Sequence, residues 1–308
     1  MTSHLEFHAV SCRFGRTTAL REASFNVPAG SITALLGPNG AGKSTALKIA
    51  LNLLRPSSGH ADILGVDSRK LGPAQLQRLG YVADGMDLPL WMTVDRFLGW
   101  CRPLYPKWDT DLERDLRRQF GLPGDRRLRH LSRGQRMKAA LVSVLAYRPE
   151  LLVLDEPFSG LDPLVRDEFI SGLLELAGGE GFSVVLSSHD IEEVDRLADH
   201  VVMLNEGSVL LDEDTESLLK RHRRVEVVLP PDFAALPAFP RNWIAADSSG
   251  RVLRFTDTHY EPAAFGEAAA RLLPGCGTPD VRAITLRELF VTLVRPAERP
   301  GASHAKLS

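Results

Sequence analysis

The chain has 308 residues, 44% of them hydrophobic and 25% charged, with a formal net charge of -2. That length suits a large core and more than one domain, and the proportions are those of an ordinary globular protein. The near-neutral charge argues against nucleic acid as a partner, whose electrostatic footprint is a basic domain. Cys12, Cys101 and Cys276 lack metal-ligand spacing and read as reduced thiols. The opening MTSHLEFHAV lacks the basic and apolar regions of a signal peptide, and no apolar run approaches the ~20 residues that span a bilayer. Work at a membrane would require another chain to do the crossing.

Residues 4–11 and 23–27 have strand character, and SITALLG (31–37) reads as a buried strand ending in glycine. From Lys43, Leu47, Ala50, Leu51 and Leu54 recur at helical spacing until RPSSG stops them. Short strands are expected at 61–64 and around Tyr81 and Val82. From about 92 to 148 the pattern is mostly helical, in TVDRFLGWCRPLY, DTDLERDLRRQFGL and GQRMKAALVSVLAY. ELLVLDEP (150–157) returns to a buried strand. It is followed by a helix in PLVRDEFISGLLELA, a strand in FSVVLSSH, a helix in DIEEVDRLADH and a strand in VVMLNEG. Such alternation predicts an α/β fold, a mainly parallel sheet with helices on both faces, interrupted by the helical block. After about 215 the texture changes. RHRRVEVVLPP and RVLRFTD (251–257) read as strands, PAAFGEAAARLL and TLRELFVTLV as helices. The expected organisation is a core over 1–215 with a helical insert at about 86–148, a small α+β domain over 216–295, and a disordered tail over 296–308.

GPNGAGKST (37–45) fits the pattern G-x-x-x-x-G-K-[ST]. Gly37, Pro38, Asn39, Gly40, Ala41 and Gly42 form a loop whose glycines let backbone N–H groups turn inward around phosphates. A helix starting near Lys43 points its positive end at them. Lys43 supplies charge for the terminal phosphates, Ser44 a hydroxyl for Mg²⁺, and Thr45 closes the motif. LLVLDEP runs down a hydrophobic strand into Asp155 and Glu156, where bare carboxylates would be costly. Asp155 can hold the Mg²⁺ shell, and Glu156 can take a proton from an attacking water. His189 follows the next buried strand and can reach a γ-phosphate; taken alone it reads as a structural histidine.

The ordered set FG (14–15), GPNGAGKST, GYVAD (80–84), LSRGQ (131–135), LLVLDEP, SGLDP (159–163) and SSHD (187–190) resembles the nucleotide-binding subunit of an ATP-binding cassette (ABC) transporter, over about 5–215. The resemblance implies a P-loop NTPase core of ABC type. It implies an ATPase using ATP and Mg²⁺, on the cytoplasmic face of the membrane. Its partners would be a second ATP-binding subunit and a separate transmembrane permease. ITLRELFVTLV is similar to the closing helix of exporter-type subunits, so export is the expected direction. Phe14 stands where an aromatic ring stacks on adenine, with simple core as the alternative. Glu156 matches the general base, His189 the switch histidine and Asp162 a loop crossing the dimer interface. Ser132, Gly134 and Gln135 match the signature motif, which contacts ATP held by the opposite subunit.

Two positions depart from the family. Asp84 replaces the usual glutamine that senses Mg²⁺ and water, and is expected to reach the metal through a water. Arg133 replaces glycine, and either points away from the phosphate or adds charge to the composite site. GMDLPLWMTV (85–94) is apolar where the family receives a helix of the membrane subunit; Leu88, Leu90, Trp91 and Met92 line that cleft or belong to the core of the insert. The basic clusters at 114–130 and 221–224 read as solvated faces. A soluble ABC-type ATPase acting on nucleic acid or ribosomes is disfavoured by a single phosphate loop and by spacing too short for a coiled-coil insert. A regulatory nucleotide binder is disfavoured by the intact Lys43, Glu156 and His189.

Overall fold

The computed structural model describes residues 2–180, 182–231, 233 and 236–294. In chain order, β1 (Ser3–Phe14), β2 (Thr17–Pro28) and β3 (Ile32–Leu36) lead into α1 (Lys43–Ala50). β4 (Ser58–Ile63), β5 (Val66–Asp67), the short α2 (Pro73–Leu76) and β6 (Leu79–Ala83) follow. Then come α3 (Val94–Cys101), α4 (Thr110–Gln119) and α5 (Arg133–Leu145). β7 (Leu151–Asp155), α6 (Pro163–Glu180), β8 (Ser183–Ser188), α7 (Ile191–Val194), β9 (His200–Asn205) and β10 (Ser208–Asp214) complete this part.

Six strands form one sheet in the order β10-β9-β3-β8-β7-β6, with β9, β3, β8, β7 and β6 parallel. β3, β7 and β8 are buried at every residue, as a sheet covered on both faces requires. Because these strands are parallel, the residues following β3, β6, β7 and β8 emerge at one edge: Gly37, Asp84, Glu156 and His189. Open parallel sheets offer their ligand crevice at this carboxyl edge.

A second, antiparallel sheet runs in the order β2-β1-β4-β5. Leu5, Val10, Leu20 and Val27 from it share a core with Leu47 and Ile49 of α1 and Leu35, Val153 and Val185 of the parallel sheet. This packing fixes the start of α1 beside the carboxyl edge.

The block from 92 to 148 is helical, and its helices are capped by their own sequence. Thr93 accepts the N–H of Arg96 at the start of α3, and Asp109 accepts those of Asp111 and Leu112 at α4. Buried Glu113 takes Arg102 at 2.8 Å and the indole N–H of Trp108 at 2.9 Å. Arg114, Arg117 and Arg118 pair with acids nearby, so the α4 part of this basic cluster is neutralised locally. Met92 is buried, while Leu90 and Trp91 are exposed, so the apolar segment divides between core and surface.

DIEEVDRLADH is α-helical only over Ile191–Val194. Asp199 explains the early stop: its N–H donates to Ile32 O and its carboxylate accepts the N–H of Ile32, both at 2.9 Å, drawing the chain into line with β3. β10 continues the chain after Gly207 as a strand that the sequence reading does not anticipate, although Val209, Leu210 and Leu211 lie in it.

The chain divides into compact units over 1–212 and 213–308. The second contains α8 (Thr215–Arg221), β11 (Arg223–Val228), β12 (Trp243–Ser249), β13 (Val252–Asp257), α9 (Pro262–Leu272), β14 (Asp280–Ala283) and α10 (Leu286–Val294). Its sheet order is β12-β13-β11-β14, with each pair antiparallel. Val225, Trp243, Leu253, Phe255 and Phe265 form its core. α8, β12 and β14 are elements that hydropathy alone did not predict. The expected tail at 296–308 lies outside the described residues.

α5 and α6 meet through a glycine. A Cβ on Gly134 would come within 2.9 Å of Val165 Cγ1. Gly134→Ala is therefore expected to lower stability by about 1–3 kcal/mol through overpacking, read as a shift of the urea unfolding midpoint.

Candidate nucleotide-binding site

A cleft of about 750 Å³ opens at the carboxyl edge of the parallel sheet. Asn39, Gly40, Ala41, Gly42, Lys43, Ser44 and Thr45 line one side, and Asp84, Asp155, Glu156 and His189 another. Phe14, at the end of β1, closes a third side and is 51% exposed, so it is not a core residue. Thr17, Thr18, Ala19 and Ser159 also line the cleft. These four carry no motif of their own; they arrive because β2 begins beside the phosphate loop and because SGLDP follows β7.

The loop conformation depends on its glycines. Gly42 has φ 107° and lies against the backbone oxygen of Ala19, where no side chain has room. Gly37 lies equally close to the backbone of Leu204 and, with Pro38, sits behind the cleft wall. Its carbonyl and that of Pro38 accept the Lys43 ammonium at 2.7 and 3.3 Å. Lys43 is only 5% exposed, and its remaining neighbour is Glu156 Oε1 at 3.2 Å. α1 starts at Lys43 without a side-chain cap, which leaves first-turn N–H groups for an anion.

Asp155 is buried and accepts two hydroxyls, Ser44 Oγ at 2.9 Å and Ser187 Oγ at 2.7 Å. The Ser44 hydroxyl and the Asp155 carboxylate are adjacent hard oxygen donors, which fits Mg²⁺ bound beside substrate phosphates. Glu156 adopts φ 51°, the left-handed region that a non-glycine residue enters at a cost of about 1 kcal/mol or more. Its N–H donates to Ser187 Oγ at 2.9 Å. Its carboxylate lies between Lys43 and His189, whose Nδ1 is 2.7 Å from Oε2. Ser187 is thus a positioning residue for both acids that the motif pattern had not singled out. Its signal was the serine pair ending an otherwise apolar strand.

Both carboxylate oxygens of Asp84 are taken by Arg133, through Nη2 and, at 3.1 Å, through Nε. It lines the cleft, and its carboxylate is held there in an ion pair with Arg133.

Ser132, Gly134 and Gln135 do not line this cleft. Ser132 caps α5: its Oγ accepts the Gln135 N–H at 3.1 Å, and Gln135 Oε1 accepts the Ser132 N–H at 3.2 Å. Gly134 is buried, and a Cβ there would meet Val165 and Leu161. Its small size serves helix packing.

Residues 20–159 match the ABC transporter family. Over 214 residues the chain is 34% identical to the sulfate/thiosulfate import ATP-binding protein CysA of Salmonella typhi, covering 67% of this chain and 58% of that protein. The chain thus spans less than two thirds of the length of that relative. It is 32% identical over 226 residues to the glycine betaine uptake system ATP-binding protein YehX of Escherichia coli K12, covering 70% of this chain and 73% of the relative. A solved ATP-binding subunit of an ABC transporter matches the fold with a TM-score of 0.64 and 28% identity, over 71% of this chain and 92% of that one. Likeness at this level, extending across most of a relative's own length, places the loop and its acids in a known setting: the chain belongs to the ABC transporter family, among its ATP-binding proteins.

Proposed function

We propose that this chain hydrolyses MgATP to drive a separate permease, and that Glu156 is the general base. The observation that carries this is the Lys43–Glu156–His189 cluster at the mouth of the phosphate loop, 3.2 and 2.7 Å apart in sequence of contact. Lys43 is held among carbonyls and is free to exchange them for phosphate oxygens. Glu156 accepts a proton from water while His189 Nδ1 holds its second oxygen in place. Phe14 offers its face to the adenine, and the loop and α1 N–H groups hold the phosphates. Mg²⁺, held by Ser44 and Asp155, supplies charge neutralisation on the phosphates.

The separation of Ser132, Gly134 and Gln135 from their own cleft supports a head-to-tail dimer, in which they meet the nucleotide of the partner subunit. The permease would engage the groove in which Met86, Leu88, Leu90 and Met137 lie beside the charged Asp84, Asp87, Arg133 and Arg136, next to exposed Trp91. No helix among the described residues is long and apolar enough to cross a membrane, which supports a place on the cytoplasmic face of a membrane-spanning partner.

For export there is only the sequence resemblance of ITLRELFVTLV to an exporter closing helix. The import and uptake names of the relatives support the opposite direction. Their named cargoes, an inorganic anion and a zwitterion, share no charge pattern, so the cassette carries no cargo signature.

Glu156→Gln is expected to bind ATP normally, lose turnover by about 10²-fold or more, and accumulate as a dimer with ATP by size exclusion. Wild-type turnover in that variant would rule out the base assignment. Affinity purification from membranes is expected to bring down a multi-span permease. Recovery of an extracytoplasmic substrate-binding protein with it would overturn export in favour of import.

A further inference from the structure

The two positions that depart from the family, 84 and 133, touch each other. Asp84 follows β6 and lines the nucleotide cleft, and its N–H donates to Asp155 O at 2.9 Å, tying this loop to the end of β7. Arg133 is the first residue of α5, 49 positions along the chain, and grips both Asp84 oxygens. Its guanidinium lies over Gly160, in the place a Cβ there would occupy, and Gly160 has φ 65°. Glycine at 160 therefore both permits the turn and leaves room for the arginine.

Charge gives this contact its consequence. Three carboxylates line the cleft, Asp84, Asp155 and Glu156. Asp155 is satisfied by two neutral hydroxyls, and Glu156 by Lys43 and His189. Asp84 has Arg133. A triphosphate entering the cleft brings several negative charges, and an uncompensated carboxylate on the wall repels it. As an exposed ion pair the contact adds little stability, since such pairs contribute about 0–1 kcal/mol. Its effect falls on the bound anion.

We propose that Arg133 is a positioning residue that holds and neutralises Asp84 at the wall of its own chain's nucleotide cleft, so that the substitutions at 84 and 133 compensate each other. Loss of Arg133 would therefore be tolerated only where residue 84 is neutral. The proposal builds on the ATP-binding reading above and adds to it a within-chain role for a residue of the signature motif.

The test is a two-by-two set, wild type, Arg133→Gly, Asp84→Asn and the double variant, assayed for equilibrium binding of a non-hydrolysable Mg·ATP analogue at protein concentrations that keep the chain monomeric. Arg133→Gly is expected to weaken binding by about fivefold or more at low salt, an effect that shrinks as salt rises. The double variant is expected to bind within about twofold of Asp84→Asn alone. Circular dichroism on all four confirms folding, and Arg133→Met, which keeps most of the stem, should weaken binding as Arg133→Gly does. Unaltered binding by Arg133→Gly, or a loss that persists in the double variant, overturns the proposal; the persistent loss would mean Arg133 meets phosphate directly. Failure of the wild type to bind the analogue overturns the ATP-binding reading and this proposal with it, whereas wild-type binding beside either of those outcomes overturns the proposal alone.

Discussion

The buried carboxylate of Asp155 is the constraint around which the site is built. It ends β7, next to the edge strand β6, and is only 7% exposed, so most of its hydrogen bonding must come from the protein. Ser44 from the phosphate loop and Ser187 from β8 supply the hydroxyls, and its backbone oxygen receives the N–H of Asp84 from the loop after β6. One residue thereby joins the ends of three parallel strands to the first turn of α1. Ser187 passes the constraint on, because the same hydroxyl accepts the N–H of Glu156 and helps hold it in its left-handed conformation.

That conformation matters for chemistry. An ordinary strand continuation would alternate Glu156 to the other side of the sheet from Asp155. The positive φ turns its carboxylate into the cleft, between a lysine and a histidine. The strain is offset by the surrounding hydrogen bonds, a common arrangement where a side chain must be presented rather than buried.

The helical segment shows how one short motif serves two ends. Ser132 and Gln135 cap α5 reciprocally, which orients the helix start, and Gly134 lets α5 approach α6 closely. These are intrachain tasks, complete without a nucleotide. Arg133 adds a link in the other direction, from the helix start to the cleft wall through Asp84. The cleft wall and the start of α5 are thereby directly linked.

By itself the sequence determined the α/β alternation, the phosphate loop, and the acids and histidine that follow apolar strands. These are local signals: a glycine pattern, a hydrophobic run, a polar residue at its end. It also marked both departures from the family, Asp84 and Arg133. Their pairing is decided only in three dimensions, because they lie 49 positions apart in separate motifs. Phe14 was left between stacking surface and core until its exposure at the end of β1 was known. β10 and β12 carry only short apolar runs followed by polar residues and β14 carries none, so pairing with a neighbouring strand rather than hydropathy defines them. The early end of α7 likewise came from a partner, the hydrogen bonds of Asp199 to Ile32. Chemistry that resides in a run of neighbouring residues is legible from the chain; which distant charges meet, and which face a strand presents, depends on packing that only the tertiary structure sets.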